Sequence, residues 1–279
     1  MDSILITGGS GYLGMGLVPE LLRVGYGRIC IYSRGEHCQA ELRARWGDLK
    51  ALRWFIGDVR DRDRLEVAME GVGDVIHAAA LKRIEVGAYN PEEMVKTNVV
   101  GSGNVVAACR EVGVKRCLLI SSDKAVSPVS PYGYTKALAE AFFLAANKRG
   151  GTRFGVCRYG NVAGSTGSVI PIWRNAIAHG GPVRVTDMEA TRFWMTRDEA
   201  VKLVLDTLVG MKGGEVAVPD LPAFRLEDLF YAMGRPNLQF KVVGLPAHEK
   251  LHETMDGVTD SSQVRRMSED ELREALRRV

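Results

Sequence analysis

Long apolar runs are missing from this chain of 279 residues, and none reaches the roughly twenty residues that span a bilayer. The five cysteines (Cys30, Cys38, Cys109, Cys117 and Cys157) contain no Cys-x-x-Cys pair and no framework of regular spacings. A disulfide scaffold and a thiolate metal site are therefore not expected, and several of these thiols sit in apolar runs as small buried hydrophobes. A formal net charge of +3 is too small to argue for nucleic acid or an anionic membrane. His77 has no partner at metal-ligand spacing and reads as a core histidine, so no metal is expected. There is no internal repeat and no low-complexity linker. The first residues lead straight into a strand, which makes a leader peptide unexpected and the cytoplasm the expected compartment.

What the chain does have is organised around Ser121-Ser122-Asp123-Lys124-Ala125 and Tyr132-Gly133-Tyr134-Thr135-Lys136. The preceding Val114–Ile120 run is short and apolar, as a buried parallel strand should be. It delivers Ser122, Asp123 and Lys124 to the carboxyl edge of a sheet, where open α/β folds bind their ligands. Ser130 and Pro131 then read as N-cap and first residue of a helix. Tyr132 and Lys136, four apart, share one face of it. An ammonium near a phenol favours the phenolate, giving a general base for neutral pH. The spacing alone also arises on solvated helices; its position after this strand end favours catalysis.

A second motif opens the chain. The strand Ser3–Thr7 runs into Gly8-Gly9-Ser10-Gly11-Tyr12-Leu13-Gly14 and then a helix through Leu17, Leu21 and Leu22. Gly8 suits a tight turn, Gly11 a close approach of backbone to a pyrophosphate, and Gly14 the packing of helix on strand. The helix N-terminus offers free N–H groups to phosphates. A second strand, Arg28–Tyr32, ends in Ser33-Arg34, where an NAD site usually carries a carboxylate. A hydroxyl and a guanidinium suit a 2′-phosphate, so NADP is the expected cofactor. The rival reading makes Arg34 the start of a basic surface stretch through Arg43, Arg45, Lys50 and Arg53.

Further strands are expected at 54–59, 74–80 and 153–159, with a helix from Asn90-Pro91 to Arg110 between them. Alternating β and α implies a parallel sheet with helices on both faces. Beyond about residue 165 the rhythm changes. A loop at 164–168, a helix from Val169 to His179, a short strand at 183–186, the Thr191–Thr196 stretch with Arg192 as a candidate anion ligand among aromatics, and a capping-box helix from Ser268 with Glu271 remain. The expected fold is α/β, a Rossmann-type doubly wound sheet at 1–165, with a small substrate-binding lobe at 166–279. A segment near 213–219 is expected to return to the main sheet. Cofactor contacts are expected from Thr7, Gly8, Ser10, Gly11, Tyr12, Leu13, Gly14, Ser33, Arg34, Asp58, Val59, Ala78, Ala79, Ala80, Tyr132, Lys136, Tyr159 and Asn161. Substrate contacts are expected from Lys82, Asn98, Asn161, Ser168, Val169, Arg192 and Glu249.

With these motifs the chain resembles the extended short-chain dehydrogenases/reductases, and within them the soluble UDP-N-acetylglucosamine 4,6-dehydratases that invert C5. The resemblance runs from Ile4 to about Met255. It rests on Ile31-Tyr32-Ser33-Arg34, His77-Ala78-Ala79-Ala80-Leu81-Lys82, Tyr89-Asn90-Pro91, Ser122-Asp123-Lys124-Ala125, Arg158-Tyr159-Gly160-Asn161-Val162, Thr191-Arg192-Phe193-Trp194 and Glu249-Lys250-Leu251-His252-Glu253. The Asp-Lys pair is its sharpest part, because C5-retaining relatives carry Asp-Glu there. The resemblance implies a lyase of surface-sugar synthesis with Ser122, Asp123, Lys124, Tyr132 and Lys136 as catalytic residues. It also implies a homo-oligomer paired through the helices at 91–110 and 131–148. Two positions depart from the family pattern: Ser130 replaces an Asn, and Leu245-Pro246-Ala247-His248 replaces an Arg-Pro-Gly run whose guanidinium serves the nucleotide. The alternatives are a 4-epimerase or C5-retaining dehydratase on the same fold, or a cofactor-binding sensor or scaffold without catalysis.

Overall fold

Short β-branched and leucine-rich runs, buried on both faces, build the centre of the molecule. The computed structural model describes residues 2–234 and 239–279. In chain order the strands are β1 (Ser3–Thr7), β2 (Arg28–Ser33), β3 (Leu52–Ile56), β4 (Asp74–His77), β5 (Arg116–Ile120), β6 (Arg153–Cys157), β7 (Asn161–Val162), β8 (Val183–Val185), β9 (Thr191–Met195), β10 (Val216–Ala217), β11 (Ala223–Arg225) and β12 (Phe240–Val242). Seven of them form one parallel sheet in the order β10-β6-β5-β4-β1-β2-β3. Strand order reverses between β1 and β4, which opens a crevice at their carboxyl ends. This is the α/β doubly wound architecture expected from the sequence.

The helices are α1 (Tyr12–Arg23), α2 (Glu36–Trp46), α3 (Arg62–Met69), α4 (Ile84–Tyr89), α5 (Pro91–Met94), α6 (Gly101–Glu111), α7 (Pro131–Asn147), α8 (Val169–Ala178), α9 (Arg197–Gly210), α10 (Leu226–Met233) and α11 (Glu269–Leu276). Leu17, Leu21, Val204 and Leu208 of α1 and α9 pack on one face of the sheet. Leu65, Met69, Val105, Cys109 and Phe143 of α3, α6 and α7 pack on the other. Phe143 stacks on the His77 ring at 6.0 Å and meets Phe154 edge-on at 5.5 Å. Truncating such a ring typically costs about 3–5 kcal/mol. Four of the five cysteines are buried in these layers and Cys38 is exposed, all as free thiols.

The smaller lobe holds two short sheets, β11-β9-β7 and β12-β8, over a core that includes Trp173, Trp194, Phe224 and Leu272. Between the lobe's two stretches the chain goes back to the main sheet, where β10 pairs with β6.

Several boundaries differ from the sequence expectation, each for a local reason. The strand expected at 74–80 stops at His77; the Ala78 N–H still donates to the Thr7 carbonyl at 3.1 Å, and Ala78–Ala80 line the crevice. The strand expected at 153–159 stops at Cys157, and Asn161 and Val162, beyond the expected run, pair with β9 of the lobe. The helix expected from Asn90 contains a π-helical turn, Val95–Val100, between α5 and α6. Helix α9 was not anticipated, although Thr196 and Glu199 form a complete capping box at its start.

Candidate active site

At the head of β1, Gly8 holds φ +70°, and a Cβ there would lie 2.9 Å from the Ala79 backbone. Only glycine allows both the left-handed turn and that approach. A Cβ on Gly14 would lie 2.1 Å from the Gly9 carbonyl oxygen, so Gly14 serves helix packing, away from the crevice wall. The β1–α1 loop thus brings Gly8, Ser10, Gly11, Tyr12 and Leu13 to one end of a continuous cavity of about 770 Å³. Thr7 stands behind this wall. Its hydroxyl accepts from the Ala79 N–H at 3.2 Å and meets His77 Nδ1 at 2.7 Å, while His77 Nε2 meets Ser102 at 3.0 Å. Burial, with Lys136 nearby, pushes His77 down to about 3, so it is a neutral core histidine.

Ser33, Arg34, Asp58 and Val59 line the next part of the cavity. The Ser33 hydroxyl accepts from Ser10 at 2.9 Å and from Gln39 at 2.8 Å. Arg34 is half-exposed and lies 3.7 Å from Asp58, whose carboxylate is chelated by Arg60 at 2.7 and 2.9 Å. Ala78, Ala79 and Ala80 floor the middle of the cavity, and Tyr159 and Asn161 flank it.

The catalytic candidates converge just beyond β5. Ser122 caps a single 3-10 turn, Asp123–Ala125, by accepting from the Lys124 N–H at 3.2 Å. The turn is pinned to β6 by the Asp123 N–H donating to the Tyr159 carbonyl at 3.2 Å. Helix α7 starts as expected, with the Ser130 hydroxyl accepting from the Gly133 N–H at 3.1 Å. A Cβ on Gly133 would stand 2.4 Å from the Lys124 carbonyl oxygen, so the absence of a side chain lets α7 close on the turn. Asp123 is fully buried. Its Oδ1 accepts from Ser122 at 2.8 Å and from Lys124 at 3.1 Å, and its buried Oδ2 has no partner among the described residues.

Burial would lower the Lys124 ammonium, but the Asp123 and Glu253 carboxylates outweigh it and raise it above the ordinary lysine value. Lys124 is therefore charged at neutral pH. Burial pushes the Tyr132 phenol up, against the pull of Lys124 and Ser122. Lys136 donates to the Ile120 carbonyl at 2.5 Å, and burial pulls it down to about 8 despite Glu140. Lys124 favours the ionised Tyr132 phenol, and Lys136, four residues on from Tyr132, lines the same cavity.

On the opposite wall, Ser168 and Val169 sit at the start of α8 beside Lys82 and Arg192. Ser168 is the N-cap, yet its hydroxyl is buried without a partner, as is Asn161 Oδ1. Arg192 reaches Glu249 at 3.4 Å. Asn98 is a correction: it does not line the cavity. Its amide donates to the Leu81 carbonyl at 2.9 Å and to Thr135 at 3.0 Å, and accepts from the Leu81 N–H at 2.8 Å. It braces the segment after β4 against α7. The π-helical turn instead presents Thr97, whose buried hydroxyl has no partner. Glu253, from the Glu-Lys-Leu-His-Glu motif, was not singled out in the sequence and lies on the cavity wall beside Lys124.

The family model for polysaccharide biosynthesis proteins matches residues 4–273. The chain belongs to that family. It is 46% identical over 265 residues to the UDP-N-acetylglucosamine 4,6-dehydratase (inverting) of Campylobacter jejuni, covering 93% of this chain and 78% of that one. It is 35% identical to a UDP-glucose 4-epimerase of Rickettsia rickettsii, over 91% of this chain and 77% of that one. Among solved structures it superposes on Pen from Bacillus thuringiensis with a TM-score of 0.95 and 32% identity, covering 99% and 97% of the two chains. Among the described residues, no helix is long and apolar enough to cross a membrane.

Proposed function

We propose that this chain is an NADP-dependent nucleotide-sugar 4,6-dehydratase, a lyase acting on UDP-N-acetylglucosamine with inversion at C5. The observation that carries the reading is the Asp123–Lys124 pair: Lys124 lines the cavity with Ser122 and Tyr132, and Asp123 is buried directly behind it. The dehydratase relative from Campylobacter jejuni supports it.

The residues fit a nicotinamide dinucleotide. The Gly8 turn and the start of α1 suit its pyrophosphate, Arg34 its 2′-phosphate, and the alanine floor its nicotinamide half. The buried unpartnered hydroxyls and amide of Thr97, Ser168 and Asn161 call for a polar occupant of the cavity. When bound, the dinucleotide supplies reversible hydride acceptance, from C4 at the start and to C6 at the end.

The chain's own groups do the proton work. Tyr132 takes the proton from the sugar O4 hydroxyl, and Ser122 orients that oxygen. The resulting C4 ketone acidifies the C5 proton, so a modest base suffices. Asp123 and Lys124 then act as a pair across C5 and C6. The C5–H electrons become the C5=C6 bond, the C6–O bond breaks, and the oxygen leaves protonated as water. Lys124, charged and on the cavity wall, gives its proton to the departing oxygen and as the amine takes the C5 proton, with Asp123 behind it as counter-charge. On hydride return to C6, C5 takes a proton from solvent on the opposite face, which inverts that centre, and Tyr132 releases the O4 proton to solvent.

Residues 1–165 form the cofactor-binding domain in this reading, and 166–279 mainly the substrate lobe, with Arg192 and the α8 N-terminus meeting the nucleotide diphosphate. Tyr89, Tyr134, Leu138 and Phe142 are exposed on α4 and α7 and suit a closed pairing with a second copy. Incubation with UDP-N-acetylglucosamine, followed by mass analysis, tests the activity. Loss of water supports a dehydratase, whereas a product of unchanged mass makes the chain an epimerase.

A further inference from the structure

Lys124 has a carboxylate on each side. Its Nζ lies 3.1 Å from Asp123 Oδ1 and 3.3 Å from Glu253 Oε1. Glu253 comes from a distant part of the chain and is only 2% exposed. Its backbone N–H donates to the Ser261 hydroxyl at 3.0 Å, and its carbonyl accepts from the Ser261 N–H at 2.8 Å, which fixes the residue. Its second oxygen lies 2.8 Å from Lys250 Nζ, and Lys250 donates in turn to the Val126 carbonyl at 2.9 Å, one residue past the Asp123–Ala125 turn. Lys250 therefore stitches the Glu253 segment to the turn that carries the catalytic pair.

A buried carboxylate is costly unless something charged repays it. Here Lys250 alone would neutralise Glu253, so the contact with Lys124 needs a separate reason. We infer that Glu253 is a positioning residue for the elimination step, holding Lys124 as a charged proton donor aimed at the cavity. The inference rests on the dehydratase reading for its step, though the ion pair stands by itself. The charged and titratable groups around Lys124 are Asp123, Glu253, Arg192 and Tyr132; the first two favour its charge and Arg192 opposes it. Burial would raise the Glu253 carboxyl, but Lys124, Arg192 and Lys250 outweigh it and keep it ionised. In the step itself the C6 oxygen takes its proton from Lys124 and leaves as water. The neutral Lys124 amine then takes the C5 proton, which restores the ammonium between its two carboxylates. Without Glu253 the lysine loses one of its two counter-charges, so deprotonated lysine appears at lower pH and the donor is lost there.

The test compares wild type with Glu253→Gln, which keeps the shape, and Glu253→Asp, which keeps the charge. Two quantities are measured: the pH profile of water loss from UDP-N-acetylglucosamine, beside C4 oxidation in a single turnover, and the titration of Lys124 by lysine side-chain NMR, assigned with Lys124→Arg. Expected for Glu253→Gln are C4 oxidation near the wild-type rate, slower water loss, and an alkaline limb and Lys124 titration about one pH unit or more lower. Glu253→Asp should recover part of that shift. Unchanged water loss and an unchanged lysine titration in Glu253→Gln overturn the inference. If wild type releases no water the dehydratase reading fails, and with it the assigned step, while the NMR titration still decides the ion pair. A uniform loss of both half-reactions without any shift in titration assigns Glu253 to folding alone and also overturns the inference.

Discussion

Lys136 gives its hydrogen bond, at 2.5 Å, to the carbonyl of Ile120, so the last residue of β5 and the first half of α7 are tied through a buried ammonium. Burial brings that lysine down to about 8. A lysine whose folded value lies below its ordinary one costs stability while both states are charged. The cost is full below about pH 8 and fades as pH rises toward the ordinary lysine range, because there only the unfolded chain binds the proton. Lys136→Met is therefore expected to be more stable than wild type at pH 7, by about 1–3 kcal/mol. The gap should narrow by pH 10, and the variant should be inactive. Urea denaturation at the two pH values checks this; a variant less stable than wild type at pH 7 contradicts it.

Tyr132→Phe keeps the ring and its packing and removes the proton acceptor. Oxidation at C4 should fall about a hundred- to ten-thousand-fold, with cofactor and substrate binding close to wild type. Stopped-flow absorbance and calorimetry measure the two parts. Wild-type turnover by the variant would place the first proton transfer elsewhere.

Lys124→Ala should still oxidise C4 and then stall. In a single turnover the reduced-cofactor absorbance should persist without release of water. Normal dehydration by this variant would remove Lys124 from the elimination, and would weaken the case for inversion at C5.

Arg34→Ala should weaken NADP about ten- to a hundred-fold, as expected for a lost charge-assisted contact, with NAD little changed. Titration of both dinucleotides against both proteins decides it. Equal affinities in wild type would mean that Arg34 serves Asp58, 3.7 Å away, and nothing more.

Phe142→Glu combined with Leu138→Glu should convert an oligomer to a monomer by placing charge on the exposed face of α7. Light scattering at micromolar concentration reads the change. A monomeric wild type would remove the proposed pairing.

The parts of the site that could be read in the sequence are those built from neighbours in the chain. Gly8 to Gly14, Ser122 to Lys124, and Tyr132 with Lys136 each lie within one turn or one loop, so residue type and spacing already contain their geometry. Asn98 could not be placed that way, because its amide is satisfied by Leu81 and Thr135, partners that only tertiary packing brings together. Glu253 was quoted within a motif but given no role, since nothing in Glu-Lys-Leu-His-Glu says which lysine its carboxylate meets. The register change at Thr97 was hidden for a different reason: Val95–Val100 is rich in β-branched residues, and a π turn has no residue signature of its own. The pairing of Asn161 and Val162 with β9, beyond the end of β6, was also tertiary.

The pairing of β10 with β6 also bears on how the protein can be divided. Were the chain cut after residue 165, β6 would become an open edge, with a row of backbone donors and acceptors available to any passing strand. Such a fragment would contain all the dinucleotide-binding motifs and still be prone to aggregate. Residues 216–217 act as a selvage that the sheet acquires only once most of the chain has been synthesised.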